Sequence, residues 1–390
     1  MGATDRRVAM WGVIGLFAAG LTTLALAGGA VLYWRLNHCP DRGDLAKAID
    51  EEAARWLRRD ATTDVVVAVV KGDESRITSY GPTGATGATV FQIGSVSKVF
   101  TGLLLQRFVD AGALRMDQTL GELIGARFPL APTMAPVTLL QLSSHASGLP
   151  TVPKPIEDEV LDRVGRANLM HDPYNQLTRD EVLAYLADPV GKRKPGRFSY
   201  SNYGMGLLAH VLELVTGKSY AALLEELIFA PLGMRDSYGD LPDEAAARLI
   251  QGHDVAGQPA APWRFSALGG AGSIASSAHD LVRFIEAGFD GASPLYGSLV
   301  RQRDGQPHGR SAIGWLLPSV FDRLEGNRSI LWHNGAVNGY FAYLAIDPVQ
   351  RAGVVVLVNR QKDITALGAG LVRLARTQSW RAPTGAETEM

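Results

Sequence analysis

Apolar residues follow two patterns along the chain: short continuous runs near both ends, and helical stripes between them. Residues 65–70 form an unbroken, mostly β-branched run, and residues 330–333, 341–346 and 353–359 are further short apolar runs separated by turn residues. Such runs are typical of buried strands. Residues 76–80 follow the first run across a Lys-Gly-Asp turn, so they predict a hairpin partner for it.

The middle of the chain has the spacing of amphipathic helices. A stripe begins at Val96 and continues through Phe108, and further helices are predicted over 203–216, from Ser219 to Ile228, and near each end over 45–59 and 363–376. Thr178 with Glu181 and Ser277 with Asp280 have the spacing of capping boxes. No helix of ten residues separates the late strands, so they are predicted to be antiparallel. The predicted fold class is therefore α+β, with a sheet lobe formed from both ends of the chain and an inserted all-helical lobe at roughly residues 100–285.

The N-terminal segment differs from the rest. Residues 8–34 contain no charged side chain, and as a helix these 27 residues would span roughly 40 Å, enough to cross a hydrocarbon layer of roughly 30 Å with tilt. We therefore predict one transmembrane helix within a tail and anchor at 1–37, a linker at 38–44, one large domain at 45–378 and a disordered tail at 379–390. The membrane would be a partner through that helix, and the domain would be periplasmic or extracellular. The alternative is a cleaved signal peptide, since residues 25–27 have the small-residue pattern of a cleavage site.

Composition excludes several classes of function. The net charge is −1 and the sequence pI is about 6.7, so no basic surplus exists to bind a nucleic acid. Cys39 is the single cysteine, so neither an internal disulfide nor a cysteine metal site can form. The eight histidines are scattered and no His-Glu-x-x-His sequence occurs, so no metal and no cofactor is predicted. Gly-x-Ser-x-Gly, the signature of another hydrolase class, is also absent.

Ser95 and Lys98 are the first candidate catalytic pair. Positions i and i+3 share a helix face, so both side chains are predicted to point the same way. A serine hydroxyl is a poor nucleophile until a base accepts its proton, and a lysine serves as that base only if burial lowers its pKa. The Ser95 backbone N–H, at the helix start, would face a developing oxyanion. The pair alone is weak, because about one Ser-x-x-Lys is expected by chance in such a chain. The alternative is a solvated lysine on a core helix.

Two further motifs contain groups that complement this pair. Tyr200-Ser201-Asn202 precedes a predicted helix; a phenol both donates and accepts a proton, and an amide can hold a substrate carbonyl. The alternative for this motif is a turn and helix cap. His333-Asn334-Gly335-Ala336 lies at a predicted strand end, where Gly335 would allow a close backbone approach and the Ala336 N–H would complete the oxyanion hole. The alternative there is an ordinary strand end with a solvent-facing histidine.

Taken together, the three motifs resemble the serine β-lactamase and penicillin-binding superfamily. A related set, Ser-x-x-Lys, Ser-Asp-Asn and Lys-Thr-Gly, is known from that group. Tyr-x-Asn in the second position resembles the class C β-lactamase branch, with its D-alanyl-D-alanine carboxypeptidases and β-lactamase-like esterases. The flanking residues 91–98, 139–150 and 269–272 are also similar to that branch, and the resemblance covers about residues 45–375.

The resemblance implies a role for each motif residue. Ser95 would form the acyl-enzyme, Lys98 and Tyr200 would share the work of base and proton relay, and Asn202 would orient the substrate. The backbone N–H groups of Ser95 and Ala336 would bind the oxyanion.

The third motif departs from the β-lactamase pattern. His333, with Asn334 and Gly335, is expected to contact substrate, but His333 stands where β-lactamases have a lysine, and an unperturbed histidine is mostly neutral at pH 7. His145, in a family-like loop, is interpreted as structural. We therefore expect a serine hydrolase that cleaves small esters, D-amino-acid amides or peptidoglycan-like peptides. The alternatives are a penicillin-binding sensor with slow turnover, or a true β-lactamase.

Overall fold

The protein is described here by a computed structural model, which covers residues 43–57, 62–305, 310–318, 323 and 328–380. The predicted membrane anchor, most of the linker and nearly all of the predicted tail lie outside these residues, so those expectations stay predictions. Within the described part of the chain, no single helix has the length and composition of a membrane span. Two consecutive helical stretches, Asn202–Thr216 and Tyr220–Leu232, together have the length and apolar composition of a membrane span, but the chain bends by 84° between them.

Nine strands and thirteen α-helices are present in the described ranges. The strands are β1 (Val65–Lys71), β2 (Glu74–Tyr80), β3 (Val90–Gln92), β4 (Gly252–His253), β5 (Pro259–Ala260), β6 (Ala275–Ser277), β7 (Leu331–Val337), β8 (Tyr340–Asp347) and β9 (Ala352–Val358). The first seven helices are α1 (Leu45–Leu57), α2 (Ser97–Asp110), α3 (Leu120–Ile124), α4 (Leu139–Ser143), α5 (Lys154–His171), α6 (Arg179–Ala184) and α7 (Asn202–Thr216). They are followed by α8 (Tyr220–Leu224), α9 (Ala230–Leu232), α10 (Asp243–Ala246), α11 (Ala278–Ala287), α12 (Tyr296–Arg303) and α13 (Thr365–Thr377).

The main sheet has five strands in the order β2-β1-β9-β8-β7, and every neighbouring pair is antiparallel. The sequence prediction of a sheet built from both ends of the chain, with antiparallel late strands, is therefore confirmed. Two details of the prediction were wrong. The lobe expected to be all-helical at roughly residues 100–285 contains the short strands β4, β5 and β6. The strand expected at 330–333 continues to Val337, so the His-Asn-Gly-Ala motif lies inside β7 rather than at its end. A glycine inside a strand often marks a place where another backbone approaches closely, and Ile93 approaches Gly335 in this way.

Both faces of the sheet are covered, and this explains why its central strands are continuous apolar runs. Alternate residues of β1 point to opposite faces. Val66, Ala68 and Val70 join the large core shared with the helical part of the chain. Val65, Val67 and Val69 pack in a second core with residues of α1 and α13. A run without polar alternation is what a strand buried on both faces requires.

Helix caps in the helical part agree only partly with the sequence reading. The capping box of Thr178 and Glu181 is present. Ser277 does cap α11, but Asp280 does not reach back; its carboxylate instead accepts hydrogen bonds from the Asp236 N–H, the Ser237 hydroxyl and Arg283. The second predicted capping box is therefore only half formed. Two boxes that the sequence reading missed open α3 and α4.

A two-stranded sheet of β3 and β6 connects the lobes beside the site. Val90 pairs with Ser277, and beyond the strand the Ile93 N–H donates to the Ile274 carbonyl at 3.0 Å. The chain then turns at Gly94 into a short 3₁₀ helix, Gly94–Val96, that continues as α2. This connection places the start of α2 next to β7 at the open edge of the main sheet.

Candidate active site

Ser95 lies in the turn between β3 and α2, where the backbone of β7 approaches it closely. The preceding Gly94 has φ of +51°, a conformation that favours glycine, and a Cβ there would lie 3.0 Å from the Ala336 nitrogen. A Cβ on Gly335 would lie 2.0 Å from the Ile93 oxygen and 2.8 Å from the Ser95 nitrogen. Both glycines are therefore required for the two backbone segments to meet. Ser95 itself is partly exposed, so a substrate can reach it.

Lys98 is completely buried one helical turn beyond Ser95. Its Nζ lies 2.9 Å from the Ser95 Oγ and donates to the Ala271 carbonyl at 2.6 Å. Burial holds the pKa of the Lys98 amine well below its usual value, and no carboxylate of the described residues forms an ion pair with it. The alternative of a solvated lysine is thus wrong. A neutral amine beside a serine hydroxyl can accept its proton.

Tyr200 completes the contact between the three polar groups. Its phenol is hydrogen-bonded to the Ser95 hydroxyl, and burial raises its pKa. The Lys98 Nζ lies 5.0 Å from the centre of the Tyr200 ring. A phenol with a raised pKa stays protonated at neutral pH, so Tyr200 is suited to pass a proton rather than to hold a negative charge. Ser95 and Lys98 thus meet as their spacing predicted, and Tyr200 lies beside them as the family resemblance implied.

Asn202 is the first residue of α7 and faces the same cleft. Its Nδ2 donates to the Tyr174 hydroxyl at 2.7 Å, while its buried Oδ1 has no hydrogen-bond partner within the described ranges. The helix cap proposed as the alternative role is supplied by Ser201, whose hydroxyl accepts from the Gly204 N–H at 2.8 Å. Asn202 is therefore free to present an amide oxygen to a ligand.

His333 is buried on β7 with 1% of its surface exposed. Its Nδ1 lies 2.6 Å from the Asn334 carbonyl oxygen, which can only accept, so Nδ1 holds the proton. Burial, the largest cause, lowers the pKa of His333 to about 3. The alternative of a solvent-facing histidine is therefore wrong, and the imidazole is neutral at pH 7.

The structure corrects the prediction that the Asn334 side chain contacts substrate. Neighbouring residues on a strand point to opposite faces, so Asn334 points away from the face of His333. Its Nδ2 donates to the Thr365 hydroxyl of α13 at 2.9 Å. Only the backbone carbonyl of Asn334, which accepts a hydrogen bond from His333, is connected to the site. The Asn334 side chain is therefore not a substrate contact.

The cleft beside Ser95 has an aromatic wall that no motif indicated. The Tyr174 ring stacks on Phe265 with centroids 4.9 Å apart and meets Trp263 edge-on at 5.5 Å. The Gln92 side chain fixes the Trp263 backbone with two hydrogen bonds of 2.6 and 3.0 Å. Tyr174 comes from one loop, and Trp263 and Phe265 come from another that is distant in sequence, so only the tertiary structure reveals the wall. Over the described residues, no group of three metal-ligating side chains was found.

Known proteins share both the sequence pattern and the fold. The family model "Beta-lactamase" matches residues 46–377. The chain belongs to the beta-lactamase family. The D-alanyl-D-alanine-carboxypeptidase/endopeptidase AmpH of Escherichia coli is 28% identical over 343 residues, which cover 80% of this chain and 83% of that protein. Penicillin-binding protein 4 of Amycolatopsis lactamdurans is 30% identical over 308 residues, covering 70% and 73% of the two chains.

Solved structures of the beta-lactamase family superpose on most of the chain. A class C β-lactamase from Rhodobacter sphaeroides has a TM-score of 0.68 and 26% identity, covering 84% of this chain and 98% of its own. A β-lactamase/D-alanine carboxypeptidase from Pseudomonas syringae has a TM-score of 0.70 at 21% identity, covering 85% and 98%, and shows the fold alone. The resemblance stated from the motifs is confirmed, and the relatives are serine hydrolases.

The close approach at Gly335 gives the first prediction. Gly335→Ala should reduce acylation of Ser95 by about 10²-fold or more, because an added Cβ must displace the Ser95 and Ile93 backbone, and shifts of about 1 Å have that effect on a catalytic site. The measurement is the rate of covalent labelling by a fluorophosphonate. Gly291→Ala is the matched control, since a Cβ there meets nothing within 4 Å. Equal labelling rates in both variants would contradict the assignment of the oxyanion hole.

The buried Lys98 amine gives the second prediction. Its folded pKa is lowered, so between that value and the unfolded value of 10.5 the unfolded chain binds more protons, and the stability of the wild type should rise with pH. Lys98→Met removes this dependence. The gain in Tm from Lys98→Met should therefore be largest at neutral pH and shrink as the pH approaches about 10. Melting curves between about pH 6 and 10 test this, and a constant difference in Tm would show that Lys98 is not held neutral.

Proposed function

We propose that this enzyme transfers acyl groups to water through a covalent ester on Ser95. The observation that carries the proposal is the fully buried Lys98 amine, 2.9 Å from the Ser95 hydroxyl and without a counter-ion among the described residues. Burial disfavours the ammonium, and the Ser95 hydroxyl that the amine contacts belongs to a residue that substrates can reach. A buried amine without a counter-ion destabilises the fold, but it can activate the neighbouring hydroxyl as a nucleophile.

The proposed reaction has two balanced halves. Lys98 accepts the Ser95 proton while Oγ attacks the substrate carbonyl, and the oxyanion is stabilised by the Ser95 and Ala336 N–H groups. The proton then passes from the Lys98 ammonium through the Tyr200 phenol to the leaving oxygen or nitrogen, and the carbonyl–leaving-group bond breaks. In the second half a water molecule loses a proton to the same base and attacks the ester. Collapse of that intermediate returns the proton to Ser95 Oγ and releases the acid.

The cleft favours substrates whose recognised part is apolar and uncharged. His333 is neutral at pH 7, so it offers no fixed positive charge at the position where β-lactamases have a lysine. The aromatic wall of Tyr174, Trp263 and Phe265 offers apolar surface for an acyl group. We therefore rank small esters and uncharged D-amino-acid amides above β-lactams, which carry a carboxylate. The similarity to a D-alanyl-D-alanine-carboxypeptidase/endopeptidase supports a peptide among the substrates.

The proposal includes a location. We propose that residues 8–34 anchor the enzyme in a membrane, with the hydrolase domain on the periplasmic or extracellular side. The support is the uncharged length of that segment alone.

Covalent labelling tests the proposed function. The purified wild type should bind one fluorophosphonate on Ser95, found by peptide mass spectrometry, and should hydrolyse p-nitrophenyl esters. Ser95→Ala should lose both properties, and Lys98→Ala should lower the acylation rate by about 10²–10⁴-fold with the melting temperature retained. Acylation should also decline as acid protonates the Lys98 amine. A wild type that is never labelled would refute the proposal, and a stable adduct without turnover would favour a penicillin-binding sensor.

His333→Lys tests the charge argument for substrate choice. A lysine on β7 would add a positive charge near the cleft, and KM for carboxylate-bearing substrates such as nitrocefin should fall by about tenfold, the effect of about 1.4 kcal/mol. KM for an uncharged p-nitrophenyl ester should change little. His333→Gln is the control, because it keeps a neutral polar side chain. If the lysine variant and the glutamine variant gave the same KM ratio between the two substrates, the argument from charge would be wrong.

A further inference from the structure

His145 ends helix α4 at a position where glycine is the usual residue. The Ala146 N–H donates to the Gln141 carbonyl at 2.8 Å and the His145 N–H donates to the Leu142 carbonyl at 3.3 Å, the hydrogen bonds of a Schellman motif. His145 has φ of +57°, in the left-handed region that disfavours residues with a Cβ. A glycine would end the helix at lower cost, so the imidazole must contribute something that glycine cannot.

The imidazole and carbonyl of His145 contact four consecutive residues that include the candidate relay. The Ser199 N–H donates to the His145 carbonyl at 2.8 Å, and the Ser201 N–H donates to its Nδ1 at 3.2 Å. The Tyr200 ring lies against the imidazole with centroids 4.6 Å apart at 35°, and Phe198 meets it edge-on at 5.9 Å. The His145 carbonyl thus holds the backbone before Tyr200, and its imidazole holds both the backbone after Tyr200 and the plane of the Tyr200 ring.

The remaining nitrogen of His145 shows that this arrangement has a cost. Nδ1 accepts a hydrogen bond, so the proton of the neutral ring is on Nε2, which is buried and has no partner in the described part of the molecule. Burial is the largest cause that lowers the pKa of His145, and it keeps the ring neutral. An unpaired donor and a disfavoured backbone conformation at one residue argue against a role in stability alone.

We propose that His145 is the positioning residue of Tyr200, and that it holds the phenol against the Ser95 hydroxyl for proton delivery to the leaving group. This inference rests on the proposed function. It assigns His145 no direct contact with substrate. Its effect is confined to the step in which Tyr200 passes a proton.

Two variants separate this role from a structural one. Both glycine and asparagine tolerate a left-handed conformation, so His145→Gly and His145→Asn should fold with a Tm at or above that of the wild type. Asparagine can still accept from the Ser201 N–H through its side-chain oxygen, whereas glycine cannot. We expect kcat/KM for an alkyl ester to fall by about 10²-fold in His145→Gly, with partial rescue in His145→Asn.

The choice of leaving group gives a readout that lost stability would not change. A p-nitrophenolate leaves without a proton, whereas an alkoxide needs one. His145→Gly should therefore reduce hydrolysis of the p-nitrophenyl ester much less, by under about tenfold, than hydrolysis of the ethyl ester of the same acid. Equal losses for the two esters would overturn the inference.

A double-mutant cycle with Tyr200→Phe tests whether His145 acts through the phenol. In that background His145→Gly should have almost no further effect on the ethyl ester, because the group that it positions is gone. Additive losses would overturn the inference while leaving the proposed function intact. If instead the wild type showed neither labelling nor turnover, the proposed function would fail and this inference with it.

Discussion

The arrangement of the site depends on an amine that is buried without a counter-charge. An ammonium at the position of Lys98 would lose its hydration and receive in return only the Ala271 carbonyl and the Ser95 hydroxyl, both uncharged. The structure therefore favours the free base at neutral pH, which makes the amine a proton acceptor. A carboxylate within reach would raise the pKa again and end that role. The absence of a carboxylate among the described neighbours of Lys98 is thus as important for the site as the groups that are present.

The scaffold provides this environment by bringing three separate backbones into contact. Strand β7 lies at the edge of the main sheet, and the turn before α2 packs against it where Gly94 lies against Ala336 and Gly335 lies against Ile93. A third segment, residues 269–272, lies over the amine, and its Ala271 carbonyl accepts a hydrogen bond from Lys98. The neighbouring Gly270 carbonyl accepts from the Thr101 hydroxyl at 2.8 Å and so ties this segment to α2. Since each backbone is fixed by a different part of the fold, the geometry of the pair is set before any substrate binds.

The sequence predicted those parts of the fold and the site that depend on local pattern. Continuous apolar runs indicated the doubly covered strands, and the i, i+3 spacing of Ser95 and Lys98 placed both on one helix face. Position on a strand was harder to predict. The motif at His333 was expected at a strand end and lies inside β7, so alternation turns Asn334 towards α13. The aromatic wall could not be predicted, because Tyr174 and Trp263 come from loops that only tertiary packing brings together.

Charge near the nucleophile is where this enzyme differs from what the motifs alone suggest. Histidines at positions 145 and 333 flank the Tyr200 ring, with centroids 4.6 and 6.1 Å away, and both are buried and neutral. A positive charge on either ring would oppose protonation of Lys98 in the step that takes the serine proton. Two neutral rings instead leave the ammonium that forms in that step as the main positive charge beside the developing oxyanion. The same neutrality removes a fixed contact for a substrate carboxylate, so the proton transfer and the weak recognition of anionic substrates that we propose would have one physical cause.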